Sequence, residues 1–220
     1  MTARSTLLTE PLRGVLERLH AAALGDDDLD IAPLGPEATA QERADALAPV
    51  FLPISAEGGR LLHNLVRSAR PQLVVEFGTS HGISTLYLAA AVRDNGVGRV
   101  LTTELSTIKV TSARASFVEA GVDDLIEVRP GDALETLAAL DGPIGLVLLD
   151  GWKGLYLPML RLLEPKLADG ALVVADDTSF ESLLPYLDYV RDPAGSYVSV
   201  GFPVEDGMEI SCYSTSQRPD

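Results

Sequence analysis

The chain of 220 residues has one cysteine, Cys212, so no intrachain disulfide can form and no cysteine-based zinc site exists. A reducing, cytoplasmic setting fits that usage. Its three histidines, His20, His63 and His81, are far apart and lack zinc-ligand spacing. Basic residues are scarce: 17 Lys and Arg stand against 32 Asp and Glu, a formal net charge of −15. That balance disfavours nucleic acid and anionic membranes as partners, since both attract basic surfaces. No stretch approaches the ~18 apolar residues of a membrane span. The opening "MTARSTLLTEPLRG" lacks the apolar core of a signal peptide. The phosphate-binding pattern G-x-G-x-x-G is also missing. With 46% hydrophobic and 22% charged residues, the composition is that of a globular protein.

What is present is alternation. Residues 1–50 read as a helical extension, with Leu12, Val15, Leu16 and Leu19 at helical spacing. "GDDDLD" (25–30) reads as a solvated acidic loop. Ser55 is placed to cap a helix carrying Leu61, Leu62, Leu65, Val66 and Ala69 on one side and ending before Pro71. From there the strands "QLVVEFG", "GRVLTTE", "DLIEV", "PIGLVLLD" and "GALVVADD" alternate with the helices "GISTLYLAAAVRD", "STIKVTSARASFVEAG", "DALETLAAL" and "LYLPMLRLLEPKL". Near-continuous apolar strands alternating with helices predict a parallel sheet covered on both faces. "SYVSVGFPVEDGMEISCYS" reads as an antiparallel hairpin at one edge, with Cys212 as a small buried residue. The expected organisation is an α/β, Rossmann-like doubly wound domain over 51–220, preceded by the extension of 1–50.

Four of these strands end in acid: Glu76, Glu104, Asp150 and the pair Asp176–Asp177. In open α/β sheets ligands sit at the carboxyl ends of the strands. Carboxylates gathered there raise one another's pKa unless a cation is present. The first turn, "EFGTSHG" (76–82), would repel a pyrophosphate at Glu76, which disfavours a dehydrogenase. S-adenosylmethionine has no phosphate and carries a sulfonium and an amino group, so an acidic turn suits it. The cofactor-binding residues expected are Glu76, Gly78, Thr79, Ser80, Gly82, Ser84, Glu104, Asp132 and Asp150. Gly78 and Gly82 would let backbone approach the ligand, and Glu104 would accept the ribose hydroxyls. Asp132 fits the adenine amine and equally a helix capping box with Glu135.

"VVEFGTSHGISTLYLA", "VLTTE", "GDALETL", "LVLLDGWKGLYLPML" and "ALVVADD" together resemble the class I S-adenosylmethionine-dependent O-methyltransferases of the catechol O-methyltransferase type, over roughly residues 50–212. The resemblance implies a seven-stranded sheet whose last strand is antiparallel. It implies Mg²⁺, Mn²⁺ or Ca²⁺ held by Asp150, Asp176 and Asp177. It implies Lys153 of D-x-x-K as general base, with Asp150 in the catalytic set, and residues around Phe51–Ser55 bordering the cofactor. The acceptor expected is a small molecule with a hydroxyl to methylate, an aromatic vicinal diol. Two departures stand out: Asp177 where the family has Asn, and Gly151 where a bulkier residue is common, which would widen the site. Trp152 is placed either as pocket wall or as packing, and Tyr156 as packing. Two rival readings remain: a metal-independent methyltransferase acting on an amine, and a non-catalytic cofactor-binding protein. The N-terminal helices are either pocket wall or the contact of a homodimer.

Overall fold

The structure is a computed structural model that describes residues 4–35 and 37–215. The chain forms α1 (Leu12–Ala23), α2 (Ala40–Ala46), α3 (Ala56–Ala69), β1 (Leu73–Phe77), α4 (Ile83–Asn95), β2 (Arg99–Glu104), α5 (Thr107–Glu119), β3 (Ile126–Pro130), α6 (Ala133–Thr136), β4 (Ile144–Leu149), α7 (Tyr156–Leu163), β5 (Leu167–Ala175), α8 (Leu184–Val190), β6 (Tyr197–Phe202) and β7 (Met208–Tyr213). The seven strands lie in one sheet in the order β3-β2-β1-β4-β5-β7-β6. β1 to β5 pair in parallel, while β7 runs antiparallel to both β5 and β6. The chain order therefore reverses at β1 and β4, and a doubly wound sheet opens its ligand crevice at such a switch point.

Two apolar cores cover the two faces, and strand alternation sorts residues between them. Val74, Val100, Leu146, Leu148 and Val174 join the helices α1, α3, α4 and α5 on one side. Leu73, Val75, Phe77, Val147 and Leu149 join α6, α7 and α8 on the other. α4 packs between the sheet and α1 and α3, which explains its apolar surface all round: Leu86, Leu88, Ala89, Ala90 and Ala91 are fully buried. The expected apolar stripe of α1 is real, for Leu12, Val15, Leu16 and Leu19 are buried in the same core as the sheet. Its apolar face is thus covered within the chain. Ser55 caps α3 by accepting the Gly58 N–H, and Arg70 in the left-handed region ends it before Pro71.

Three local expectations need correction. Ala69 is exposed, and His63 takes a buried place on α3 instead. Helix α7 stops at Leu163, because Glu164–Lys166 tighten into a 3₁₀ turn around Pro165. Cys212 is exposed, since β7 presents it on the sheet face beyond the helices. Among the described residues, no helix is long and apolar enough to cross a membrane.

Candidate active site

A cleft of about 820 Å³ opens at the carboxyl ends of β1, β2, β4 and β5. It is large enough for a nucleoside-sized ligand together with a small partner. Of the residues expected from sequence, Gly78, Thr79, Ser80, Ser84, Glu104 and Asp132 line it, as do Asp150, Lys153, Asp176 and Asp177. Glu76 and Gly82 do not. Glu76 shares a strand face with Val74, so alternation turns it under α4 rather than into the crevice. There it is fully buried, Thr85 donates to its Oε2 at 2.5 Å, and its Oε1 has no partner. Burial pushes its carboxyl pKa up.

The glycines also act differently from the expectation. A Cβ on Gly78 would stand 2.3 Å from the Asp150 carbonyl oxygen, and one on Gly82 would stand 2.5 Å from the Phe117 ring. Both give room to the protein itself: Gly78 lets the loops after β1 and β4 touch, and Gly82 lets the turn seat on α5. Gly151 does not widen the cleft either, because the Phe77 ring fills the space its side chain would take, 2.6 Å from the Cβ position.

At the β2 end, Glu104 accepts the Ser80 N–H through Oε2 and the Ser106 N–H through Oε1, each at 2.8 Å. Each oxygen keeps a lone pair for a hydroxyl in the cleft. Asp132 caps α6 by accepting the Leu134 N–H at 2.8 Å, while its side chain also borders the cleft. The capping bond therefore goes to Leu134, and Glu135 contributes no return bond among those resolved at this cap.

Sequence reasoning missed two residues here. Lys109 is buried, and its Nζ donates to Ser80 Oγ at 3.0 Å; burial pulls its pKa down. Asp26, from the acidic run read as a solvated loop, accepts the backbone N–H groups of Phe51 and Leu52 at 2.9 Å. It thereby ties the segment before α3 across the cleft, where Phe51, Leu52, Pro53 and Ile54 form a wall. His81 stacks on Phe51, with ring centroids 4.2 Å apart, and its Nε2–H donates to the Ala48 carbonyl at 3.0 Å.

The acidic end follows from register. Leu149 of β4 pairs with Ala175 of β5, so the next residues, Asp150 and Asp176, stand side by side. Asp150 N–H bonds Phe77 O at 2.9 Å and Asp176 N–H bonds Leu149 O at 3.0 Å, extending the ladder by one rung. Asp177 has φ +58°, a left-handed conformation that Asp and Asn adopt more readily than other side chains, so either residue can hold this corner. One carboxylate oxygen from each of Asp150, Asp176 and Asp177 lies within 4.8 Å of the others.

Burial, then the neighbouring Asp176, push the Asp150 carboxyl well up, and burial, then Asp177, push Asp176 up to about 6. Asp176 Oδ1 is buried without any partner. Lys153 supplies a positive charge to this group: Nζ is 2.5 Å from Asp177 Oδ2, 3.8 Å from Asp150 Oδ1, and donates to the Tyr156 hydroxyl at 3.0 Å. Tyr156 is thus more than packing. Across the cleft, Glu205 in the β6–β7 turn is pushed up to about 7, first by desolvation and then by Asp176. Nothing in "VEDG" separates it from an ordinary turn acid.

A profile of the family described as "Methyltransferase domain" matches residues 75–178. The catechol O-methyltransferase of Mycobacterium tuberculosis is 33% identical over 160 residues, 72% of this chain and 69% of that protein. Catechol O-methyltransferase B of Danio rerio is 30% identical over 174 residues, 73% of this chain but 65% of that protein, just under two thirds of its length. Among solved structures, the O-methyltransferase TomG from Streptomyces achromogenes, in complex with S-adenosylmethionine, superposes with a TM-score of 0.62 at 25% identity, covering 90% of this chain and 98% of that one. An S-adenosylhomocysteine-bound methyltransferase from Podospora anserina gives a TM-score of 0.69 over 94% of this chain and 89% of its own, at 18% identity, a likeness of fold. Taken with the crevice and its acidic strand ends, these likenesses establish that the chain belongs to the class I S-adenosylmethionine-dependent O-methyltransferases, in the catechol O-methyltransferase-like family.

Proposed function

We propose that the protein transfers the methyl group of S-adenosylmethionine to one oxygen of a small vicinal diol, aromatic in kind, with the help of a divalent cation. The observation that carries this reading is the group Asp150, Asp176 and Asp177, with an unpartnered buried oxygen on Asp176 and an amine beside it, in one cleft with Glu104 and Asp132. The donor set fits a hard cation, since it offers carboxylate oxygens and neither thiolate nor imidazole. Mg²⁺, Mn²⁺ and Ca²⁺ all suit it. Bound there, such a cation would neutralise the acids and lower the pKa of a phenolic hydroxyl, which otherwise lies near 10.

The remaining work falls to the chain. Glu104 and Asp132 hold the nucleoside through its ribose hydroxyls and adenine amine. Phe51 and His81 close the wall behind it. With a cation bound beside the acids to take over the counter-charge, Lys153 would act as the neutral amine: the acceptor hydroxyl rests against Asp150 and gives its proton to Nζ as its oxygen takes the methyl carbon and the carbon–sulfur bond breaks. Tyr156 fixes the amine by accepting its hydrogen bond.

The test is methyl transfer to catechol, followed by mass shift, in protein stripped with chelator and then resupplied with Mg²⁺. Loss on stripping and return on resupply are expected; full activity in chelator would overturn the cation's part. A metal-independent enzyme acting on an amine is a second reading. It draws support from the Lys153–Asp177 contact, which already supplies one positive charge to the acids. An N-methylated product would select it.

A further inference from the structure

We infer that the methyl acceptor is amphiphilic. Its hydroxyl-bearing head sits at the acidic end of the cleft, and an apolar tail leaves over Trp152 into a groove built by the N-terminal extension. The inference rests on the reading just given for that acidic end.

The groove is a second cavity of about 250 Å³, lined by Ile31, Pro33, Leu34 and Ala46 together with Leu47 and Trp152. Leu47 and Trp152 line the main cleft as well, so the two spaces adjoin across these two side chains. Arg43 is the charged residue at the groove, and its guanidinium donates to the carbonyls of Ala38 and Gly35. The wall is therefore apolar in a chain of net charge −15, in which 22% of residues are charged.

It is also exposed at a cost: Trp152 is 43% and Leu34 41% exposed. Leu52 and Phe180, 59% and 49% exposed, stand at the rim of the main cleft. Large apolar side chains gathered round one opening mark a ligand groove rather than scattered surface apolarity. Trp152 lies between Asp150 and Lys153 in sequence, so a head held by those two residues starts its substituent at the indole. A lipid surface is a poor occupant, because the net charge opposes anionic bilayers. Groove and cleft share the wall of Leu47 and Trp152, which puts a substituent of a molecule held in the cleft within reach of the groove and makes the acceptor's own substituent the occupant.

Trp152 is the sole tryptophan, so its emission reports the groove directly. The protein is titrated with 4-methyl-, 4-butyl-, 4-hexyl- and 4-octylcatechol below their aggregation concentrations. Affinity is expected to rise about two- to fourfold per methylene until the groove is full. An Ile31→Gln/Leu34→Gln double variant should flatten that dependence. A Val198→Gln/Val200→Gln variant, which removes exposed apolar residues on the distant strand β6, should keep it. An affinity independent of chain length, or a dependence equal in the Ile31/Leu34 variant, overturns the inference. Methylation of unsubstituted catechol is measured alongside. Turnover with no chain-length dependence overturns the tail groove and keeps the proposed function. Chain-length-dependent quenching without turnover of any catechol supports the groove and overturns that function.

Discussion

At Gly78 the backbone has φ +108°, a region that side-chain-bearing residues rarely enter, and the space of a Cβ is taken by the Asp150 carbonyl. Gly78→Ala should therefore cost about 2–4 kcal/mol of stability, read as a fall in melting temperature. An unchanged melting temperature would mean that the loops after β1 and β4 can part without loss. The sequence offered Gly78 as a place for ligand to approach backbone; the neighbour is protein, which only the register of β1 against β4 reveals. Lys153 poses a sharper question, because it is both counter-charge and proposed base. Lys153→Arg keeps the positive charge beside Asp177 and Asp150, yet guanidinium cannot give up its proton in the working pH range. If Lys153 accepts the acceptor's proton, both Lys153→Arg and Lys153→Met should lower kcat by about 10²–10⁴-fold while calorimetric affinity for S-adenosylmethionine holds. Near-normal turnover in Lys153→Arg would reduce Lys153 to a counter-charge.

At the scale of elements, the ends of β4 and β5 carry a tension that pH can release. Asp176 titrates near 3.8 in an ordinary setting and is pushed up to about 6 in the fold, by burial first and by Asp177 next. Between those values the unfolded chain has released a proton that the folded protein still holds, so stability falls as pH rises through this window. The loss is complete above about pH 6 and amounts to about 3 kcal/mol for this group. In chelator, melting temperature should drop from pH 4.5 to pH 7, and Asp176→Asn should flatten that drop; a rise with pH in the wild-type protein would contradict the assigned direction. The strands that create this juxtaposition were legible, since five apolar runs alternate with helices and each ends at a recognisable break. Their lateral order was not. β7 enters between β5 and β6, and a hairpin read from "VEDG" says nothing about which of its strands meets β5. Cys212 misled for the same reason: period-two alternation puts it on the face of Met208 and Ile210, but only the sheet order shows that it lies at the uncovered end of that face, beside exposed Val198.

For the whole molecule, the N-terminal extension is where sequence reading stopped and where the cleft is completed. Alternation and strand-end acids placed Glu104, Asp132, Asp150, Asp176 and Asp177 because those residues are fixed by the strands they follow. Asp26 and Lys109 are fixed by contacts far along the chain. Asp26 in "GDDDLD" is indistinguishable by composition from its neighbours Asp27 and Asp28, which stay exposed, and only the folded path brings it to Phe51 and Leu52. Further ties hold the same strap: Gln41 donates to the Leu105 carbonyl, Ser106 to Asp45, and Ser80 to the Phe51 carbonyl. These bonds anchor the wall to the loop after β2 and to the glycine turn, the parts proposed to hold the nucleoside. Removing the Asp26 carboxylate leaves two backbone N–H groups without their acceptor and frees the segment at Phe51. Asp26→Ala should weaken S-adenosylmethionine binding about ten- to hundredfold by calorimetry. The α1 core of Leu12, Val15, Leu16 and Leu19 lies elsewhere, so the melting temperature should move far less than in Leu16→Ala, where a buried leucine is lost at about 2–5 kcal/mol. Equal affinity in wild type and Asp26→Ala would show that the strap stays closed without its carboxylate, leaving the Ser80 and His81 contacts to hold it.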